Sequence, residues 1–497
     1  MRGDNRPSTL YEAPHEDDGP NLNYYFNGND DQVQILSTSR KKPFTKVQYI
    51  PMVILGVLTI LIFFVPLLDQ VAQNALHKVN NKIRNNSCPD TCSFSLVESI
   101  PDGVFYKNNS PIFPTTFDTW KSLIENAQKS IEIGSFYWTL RGVDVIPHPT
   151  AKQGEEIFQA LLDAGSIRKI KIRIAQSAPD PNSISNDTNI LEENSAEVRS
   201  VNFTQLLGGG VLHTKIWIID DENFYIGSAN MDWRALTQVK EMGVVGRKCR
   251  CLAKDLKKIF DVYWELGKNA IIPDHWDNKF STNINKENPI KIFDTKNITY
   301  TGFLSSSPLQ LNPQGRTNDI DAILNTIQTA NKFIYVAVMD YLPLILYTKR
   351  IQFWPVIDDA LKSAAINGIE IKMLISHWKH SRDSEDNFLK SLLILNESYK
   401  WVSIEIKHFV VPTSEDQEKI PFGRVNHNKY MVTDKTAYIG TSNWSGDYFI
   451  NTAGVGFVFE DDKNQTNTEN SIRSQLQSVF ERDWTSNYTI PIQTLKL

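Results

Sequence analysis

His213-Thr214-Lys215, the apolar run 216–219, Asp220 and Gly227-Ser228-Ala229-Asn230 form the stretch that decides the fold, because the chain writes it twice. The second copy is His427-Asn428-Lys429, an apolar run, Asp434 and Gly440-Thr441-Ser442-Asn443. A lone His-x-Lys is common noise. Two copies, each followed by a short apolar run, an acidic residue and a Gly-small-x-Asn turn, are an internal duplication. The run 216–219 reads as a buried strand, because it is continuously apolar rather than alternating. Tyr430-Met431-Val432 answers it, and Ala437-Tyr438-Ile439-Gly440 answers Phe224-Tyr225-Ile226-Gly227.

Outward from the motif the two halves keep the same order. A helix is predicted over 117–129, a strand over 130–138, a helix over 154–165, a strand over 169–175 and a polar loop over 178–194. The second half predicts a helix over 318–332, a strand after it, a helix over 354–367 and a strand over 369–375. Phe117, Trp120, Ile124 and Ala127 on the first helix are matched 203 residues later by Ile320, Ile323, Ile327 and Ala330 (117 to 320, 120 to 323, 124 to 327, 127 to 330). Residues 96–101 and 304–308 begin each half in similar sequence. Alternating strands and helices predict α/β units with parallel pairing, layered α-β-α and packed about a pseudo-two-fold axis that brings the motifs together.

The expected division is a disordered cytosolic tail over 1–46, a transmembrane signal anchor over 47–68, a luminal stalk over 69–93, a first repeat over 94–276 and a second over 277–497. The segment 47–68 is apolar, uncharged and long enough to cross a bilayer. It starts too late for a cleaved signal peptide. Arg40, Lys41, Lys42 and Lys46 precede it and Asp69 follows, which predicts a single-pass type II protein with the tail in the cytosol. Asn-x-Ser/Thr sequons at Asn85, Asn108, Asn186, Asn202, Asn297, Asn396, Asn464 and Asn487 all lie beyond that segment, so N-glycans are expected there. Asn443 also fits the pattern but sits in the motif and is expected to be unmodified. Cys88, Cys92, Cys249 and Cys251 lie on the same side, where disulfides persist. A Cys249–Cys251 ring would be small and strained, so two bridges between the pair 88/92 and the pair 249/251 are expected. Zinc is the alternative, and the CxxxC and CxC spacing suits it poorly.

The 497 residues are 41% hydrophobic and 22% charged, the composition of a globular protein. The net charge of -5 gives no broad cationic face for duplex nucleic acid, so a polyanion would have to be held locally.

A histidine and a lysine two apart on a strand share a face. Two such pairs with two asparagines suit a tetrahedral phosphoryl group: lysines and amides for the non-bridging oxygens, one imidazole to attack phosphorus, the other to protonate the leaving oxygen. No metal or other cofactor is needed by this design.

The duplicated HxK(x)4D(x)6GSxN pattern resembles the phospholipase D superfamily. Residues 227–241, 440–449, Ser135-Phe136-Tyr137-Trp138-Thr139-Leu140 and Gln153-Gly154-Glu155-Glu156 resemble its type-3 and type-4 members. The resemblance implies a catalytic set of His213, Lys215, Asp220, His427, Lys429, Asp434 and Glu241. In it His213 is the nucleophile, Glu241 orients a histidine, and Asp220 and Asp434 brace the strands. Thr452 stands near the place equivalent to Glu241. Substrate would be bound by Asn230, Asn443, Ser228 and Thr441. The implied activity is a lysosomal 5′-exonuclease on single-stranded DNA or RNA, with a phospholipid hydrolase or transphosphatidylase as the alternative and an inactive membrane receptor or scaffold as a third. Expected partners are single-stranded nucleic acid, the membrane through the anchor, and room for a homodimer. The route would run through endoplasmic reticulum and Golgi to endosome and lysosome. An acidic dileucine-like run over 31–36 points the same way. Phe136, Tyr137, Trp138 and Tyr341 are candidates to stack bases. His148 and His377-Trp378-Lys379-His380 have no acidic or cysteine partner at ligand spacing, and the acidic stretch 414–419 reads as a solvated insert.

Overall fold

The computed structural model describes residues 87–180, 186–462, 464, 465 and 468–492. The tail, the anchor 47–68 and residues 69–86 of the expected stalk lie outside the described residues. Among the described residues no helix is long and apolar enough to cross a membrane.

Strand Ile216–Ile219 is buried throughout and alternates between two cores. Ile216 and Ile218 face one cluster, Trp217 and Ile219 another. Successive strand side chains point to opposite faces, so an unbroken apolar run marks a strand covered on both sides. Strand Lys429–Thr433 does the same, with Tyr430 and Val432 in the shared cluster and Met431 in its own outer one.

Each motif strand is the middle of a seven-strand ladder, and the two ladders have one topology. The first runs Ser87–Ser99, Glu241–Arg247, Asn223–Gly227, Ile216–Ile219, Ser130–Ser135, Lys171–Ser177 and Glu197–Val201. The second runs Thr299–Ser307, Gly454–Asp461, Thr436–Gly440, Lys429–Thr433, Phe333–Val338, Glu370–Ser376 and Ile404–Phe409. In both, only the last three strands are mutually parallel. Parallel neighbours need a crossover, and helices Lys152–Ser166 and Val356–Ile366 supply it on the outer faces. The predicted parallel pairing therefore holds for one flank of each sheet, and the motif flank is antiparallel.

The inner faces of both sheets share one core, which also takes helices Arg250–Asn269 and Ile472–Trp484. The order of layers is helices, sheet, core with two helices, sheet, helices. Phe94 makes edge contacts there with Phe224, Phe457 and Phe459 from both halves. Truncating such a ring to alanine costs about 3–5 kcal/mol. Buried charges also tie the halves: Arg482 grips Glu98 through both carboxylate oxygens at 2.9 and 2.7 Å, and Lys240 meets Asp483 at 2.9 Å. Losing one partner of such a buried pair costs about 3–5 kcal/mol.

Three local expectations are corrected. Residues 87–93 are not stalk but the start of strand Ser87–Ser99, which pairs with Ile290–Asp294 before joining the first sheet. The loop over 178–194 contains helix Asp187–Glu193, held by the Asp187 carboxylate on the Leu140 N–H and the Arg141 side chain. The strand over 130–138 stops at Ser135, and Trp138–Thr139 pairs separately with Met231–Asp232.

The cysteines join as Cys88–Cys251 and Cys92–Cys249, with Cα separations of 5.7 and 4.7 Å. Their sulfurs are the one tight group of metal-type ligands among the described residues, and the pairing leaves no thiolate for zinc. Closing the 157-residue separation is worth about 5 kcal/mol of chain entropy, and the second bridge, closing nearly the same loop, adds far less. The sequon asparagines 108, 186, 202, 297, 464 and 487 are exposed, Asn396 is half-buried and Asn443 is buried.

Candidate active site

Two backbone bridges, related by the duplication, seat the motifs against each other. His213 N–H donates to Ala453 O at 2.9 Å, and Ala453 N–H to Val211 O at 2.9 Å. His427 N–H donates to Lys240 O at 2.8 Å, and Lys240 N–H to Val425 O at 2.9 Å. Each histidine is thus held by the opposite half, in the segment leading into a strand rather than on it. The two-residue spacing serves a different purpose: each lysine turns back on its own histidine. Lys215 Nζ donates to His213 O at 2.6 Å and Lys429 Nζ to His427 O at 2.9 Å.

The two imidazoles face different partners. His213 Nδ1 lies 2.9 Å from the Thr441 carbonyl, which can only accept, so Nδ1 carries the proton and Nε2 keeps its lone pair. Burial, reinforced by Lys215, Lys429 and His427, holds His213 well below the usual histidine range. It is neutral, and its ring is boxed by Tyr448 and Phe136 at 5.0 and 5.3 Å. His427 Nδ1 instead lies 2.9 and 3.0 Å from the two Glu241 oxygens. Burial lowers His427 too, but the Glu241 carboxylate opposes it and supports the imidazolium.

Both lysines are buried. Burial and then Lys429 push Lys215 well down, and burial brings Lys429 to about 7 against the pull of Glu241 and Asp340. An arriving phosphodiester supplies the missing anion. The histidines open on a cleft of 490 Å³ that Asn230 and Asn443 also line. Asn230 Nδ2 donates to the Tyr137 hydroxyl at 3.3 Å, and Asn443 Nδ2 to Asp340 at 3.0 Å and the Tyr448 hydroxyl at 3.1 Å.

Several expected residues do other things. Asp220 accepts the N–H groups of Gln128, Lys129 and Ser130 at 2.7–2.8 Å. Asp434 accepts those of Asn331 and Lys332 at 2.9 and 3.0 Å. Both brace the turn into a neighbouring strand and neither lines the cleft. Ser228 and Thr441 are also out of reach of substrate, because their hydroxyls bond the backbone N–H groups of Met242 and Val455 at 3.0 and 2.9 Å. Gly243 pairs with Gly227 and Gly456 with Gly440, so the position equivalent to Glu241 is Gly454, not Thr452. Phe136 and Tyr137 line the cleft, whereas Trp138 and Tyr341 are core residues. Sequence reasoning missed Asp340, Tyr448 and Phe422 and set aside Trp378 and His380, all of which line the cleft. Tyr448 comes from helix Asp447–Ile450 within the stretch 440–449, and the folding of loops brings the other four there.

The family description "PLD3/4, PLD-like domain" matches residues 107–414. A Xenopus laevis protein named 5′-3′ exonuclease PLD3 is 48% identical over 436 residues, 86% of each chain. The chain belongs to this phospholipase D family. The human protein of that name is 44% identical over 422 residues, 84% of each chain. A mouse protein named 5′-3′ exonuclease PLD4 is 41% identical over 417 residues, 82% of this chain and 80% of that one. Among solved structures, the phosphatidylserine synthase of Haemophilus influenzae Rd KW20 shares the fold, with a TM-score of 0.52 at 11% identity over 83% of this chain and 92% of the other. The fold of the phospholipase D superfamily thus holds across the whole described body.

Proposed function

We propose that this chain is a 5′-exonuclease that degrades single-stranded DNA or RNA through a phosphohistidine. The unequal bonding of the two Nδ1 atoms carries the chemistry, and the relatives named 5′-3′ exonuclease give the substrate class. Neutral His213 Nε2 attacks phosphorus, forming a P–N bond as the P–O5′ bond breaks in line. His427, protonated and supported by Glu241, gives its proton to the leaving oxygen. Water then attacks the phosphohistidine, His427 takes its proton back, and His213 Nε2 regains its lone pair. Lys215, Lys429, Asn230 and Asn443 stabilise charge on the non-bridging oxygens.

In the same reading, the segment 47–68 anchors the protein as a type II membrane protein with this body in the lumen of the secretory route, ending in endosome and lysosome. The exposed sequons and the disulfide-bonded cysteines support that side of the membrane.

The test compares full-length protein, His213→Ala and His427→Ala in detergent at pH 5 and pH 7, on a 5′-hydroxyl single-stranded oligonucleotide and on phospholipid vesicles. Stepwise loss of nucleotides from the 5′ end by the wild type alone is expected. Turnover of lipid but not of oligonucleotide would make the protein a lipid phosphodiesterase instead, and turnover of neither would leave a scaffold.

A further inference from the structure

Two grooves adjoin the cleft, one sharing Phe136 and Tyr137 with it and the other Trp378, His380 and Phe422, and they sit at equivalent places in the two halves. Each starts where a strand of the parallel flank ends, at Ser177 in the first half and at His377 in the second. Their chemistry differs. The groove of the second half, 660 Å³, shares Trp378, His380 and Phe422 with the cleft and continues past Lys379, Glu418 and Lys419, whose ammonium also meets Asp416 at 3.3 Å. His380 and Phe422 stack at 4.8 Å with an interplanar angle of 21°, and Trp378 packs on His380 at 4.8 Å. Phe422 is 62% exposed, on a backbone held at φ 54. The ring packs on His380 yet keeps most of its surface in solvent, on a left-handed backbone that bulky residues rarely adopt. Its loop is pinned below by Arg424, which donates to Gln238 at 3.1 Å and to Asp102 O at 2.8 Å. Among the described residues, the groove of the first half, 630 Å³, is lined by no Lys or Arg; Asp180 stands there beside Phe136, Tyr137 and Trp138, and exposed Asn202 of an Asn-x-Thr sequon is on its wall.

We propose that the groove of Trp378, Lys379, His380, Lys419 and Phe422 is the binding site for the leaving strand, the nucleotides on the 3′ side of the scissile phosphate. This rests on the exonuclease reading above. With His213 attacking and His427 protonating, in-line displacement places the leaving oxygen at His427. Everything attached to that oxygen must exit on the His427 side. Residues 420–424 of the groove wall run directly into Val425 and His427. Exposed rings to stack bases and lysines to meet phosphates are what a single strand requires there. Among its described residues the other groove offers a polyanion no cationic side chain, and a glycan on Asn202 would stand on its wall.

Lys379 and Lys419 lie outside the cleft, so Lys379→Glu/Lys419→Glu separates the groove from the chemistry. The substrates are 5′-hydroxyl oligothymidylates of increasing length and thymidine 3′-(p-nitrophenyl phosphate), which has no downstream nucleotide. In the wild type, kcat/KM should rise with length and level off once the groove is filled. The variant should lose about tenfold on long substrates, mostly in KM, and keep its rate on the nitrophenyl ester. Its log–log salt dependence on long substrates should be shallower by about 1.4, for two lost phosphate contacts on a single strand. A 5-iodouracil two or three nucleotides from the 5′ end should crosslink to the peptide bearing Trp378 or Phe422 in full-length His427→Ala protein. Unchanged kcat/KM on long substrates, an equal loss on the nitrophenyl ester, or crosslinking to residues 176–204 would each overturn the proposal while leaving the exonuclease reading intact. A wild type that cleaves the ester but no oligonucleotide would overturn both.

Discussion

Replacing Glu241 by glutamine separates the roles of the two histidines. The amide keeps the length of the side chain and still accepts from His427 Nδ1, which sits 2.9 and 3.0 Å from the two carboxylate oxygens. The ring keeps its orientation and only the charge is lost. Hydrogen bonds to charged groups are worth about 1.5–3 kcal/mol and neutral ones about 0.5–1.5 kcal/mol. The imidazolium therefore loses about 1–1.5 kcal/mol of support, close to one pH unit in its pKa at about 1.36 kcal/mol per unit. Departure of O5′ needs that proton, so kcat/KM on an oligonucleotide should fall about tenfold. The basic limb of kcat, where His427 loses its proton, should move down by about one pH unit. Nitrophenolate leaves without a proton, so the first turnover of thymidine 3′-(p-nitrophenyl phosphate), followed by stopped flow, should change by less than about twofold. An equal loss on both substrates would refute the reasoning, because Glu241 would then be supporting the nucleophile or the fold. No loss on the oligonucleotide would refute it from the other side.

His427→Ala should still take the thymidine 3′-phosphoryl group of the nitrophenyl ester onto His213 and then stall, since no base remains for the water. A stoichiometric nitrophenolate burst with an acid-labile thymidylyl group on His213 is expected, and a linear time course without one would count against the assignment. Anion binding should take up a proton near neutral pH. Burial brings Lys429 to about 7 in the empty site, and a bound dianion raises it, so sulfate affinity should fall as the pH rises above 7, by about tenfold per unit. Calorimetry in buffers of different ionisation enthalpy measures the uptake at pH 7.5, and none would contradict the buried-lysine pair. Asp220→Ala strands three backbone N–H groups at the start of strand Ser130–Ser135 and should lower stability by about 2 kcal/mol with kcat/KM on folded protein nearly unchanged. A normal melting temperature with lost activity would give Asp220 a part in catalysis.

The ladder topology was legible because a duplication doubles every weak signal. One run such as 216–219 is compatible with a buried strand or a piece of helix, but the same run in the same place after a second His-x-Lys is not noise. What stayed hidden depends on facts that no residue type reports. A backbone carbonyl such as that of Thr441 has no sequence signature, so the orienting partner of His213 was invisible while the side-chain partner of His427 was not. Ser228 and Thr441 look like ligands in a Gly-small-x-Asn turn, yet the N–H of the next strand lies closer to them than the cleft does. Residues 87–93 look like polar stalk because pairing with Ile290–Asp294 and two disulfides, rather than apolar content, hold them to the body.

The duplication also accounts for its own asymmetry. Two identical halves would give both histidines a carboxylate that opposes the effect of burial, and neither would be set apart as the neutral ring with a free lone pair. The second half is crowded at this place. A Cβ on Gly454 would stand 2.1 Å from Ser442 Oγ and 2.9 Å from Ser307 Oγ, so a carboxylate where the first half has Glu241 would require both serine side chains to move. With that position empty, Nδ1 of His213 turns to the nearest acceptor, the Thr441 carbonyl, which holds the ring neutral with Nε2 free. In the mechanism proposed above, this difference of one glycine against one glutamate assigns attack to His213 and proton donation to His427.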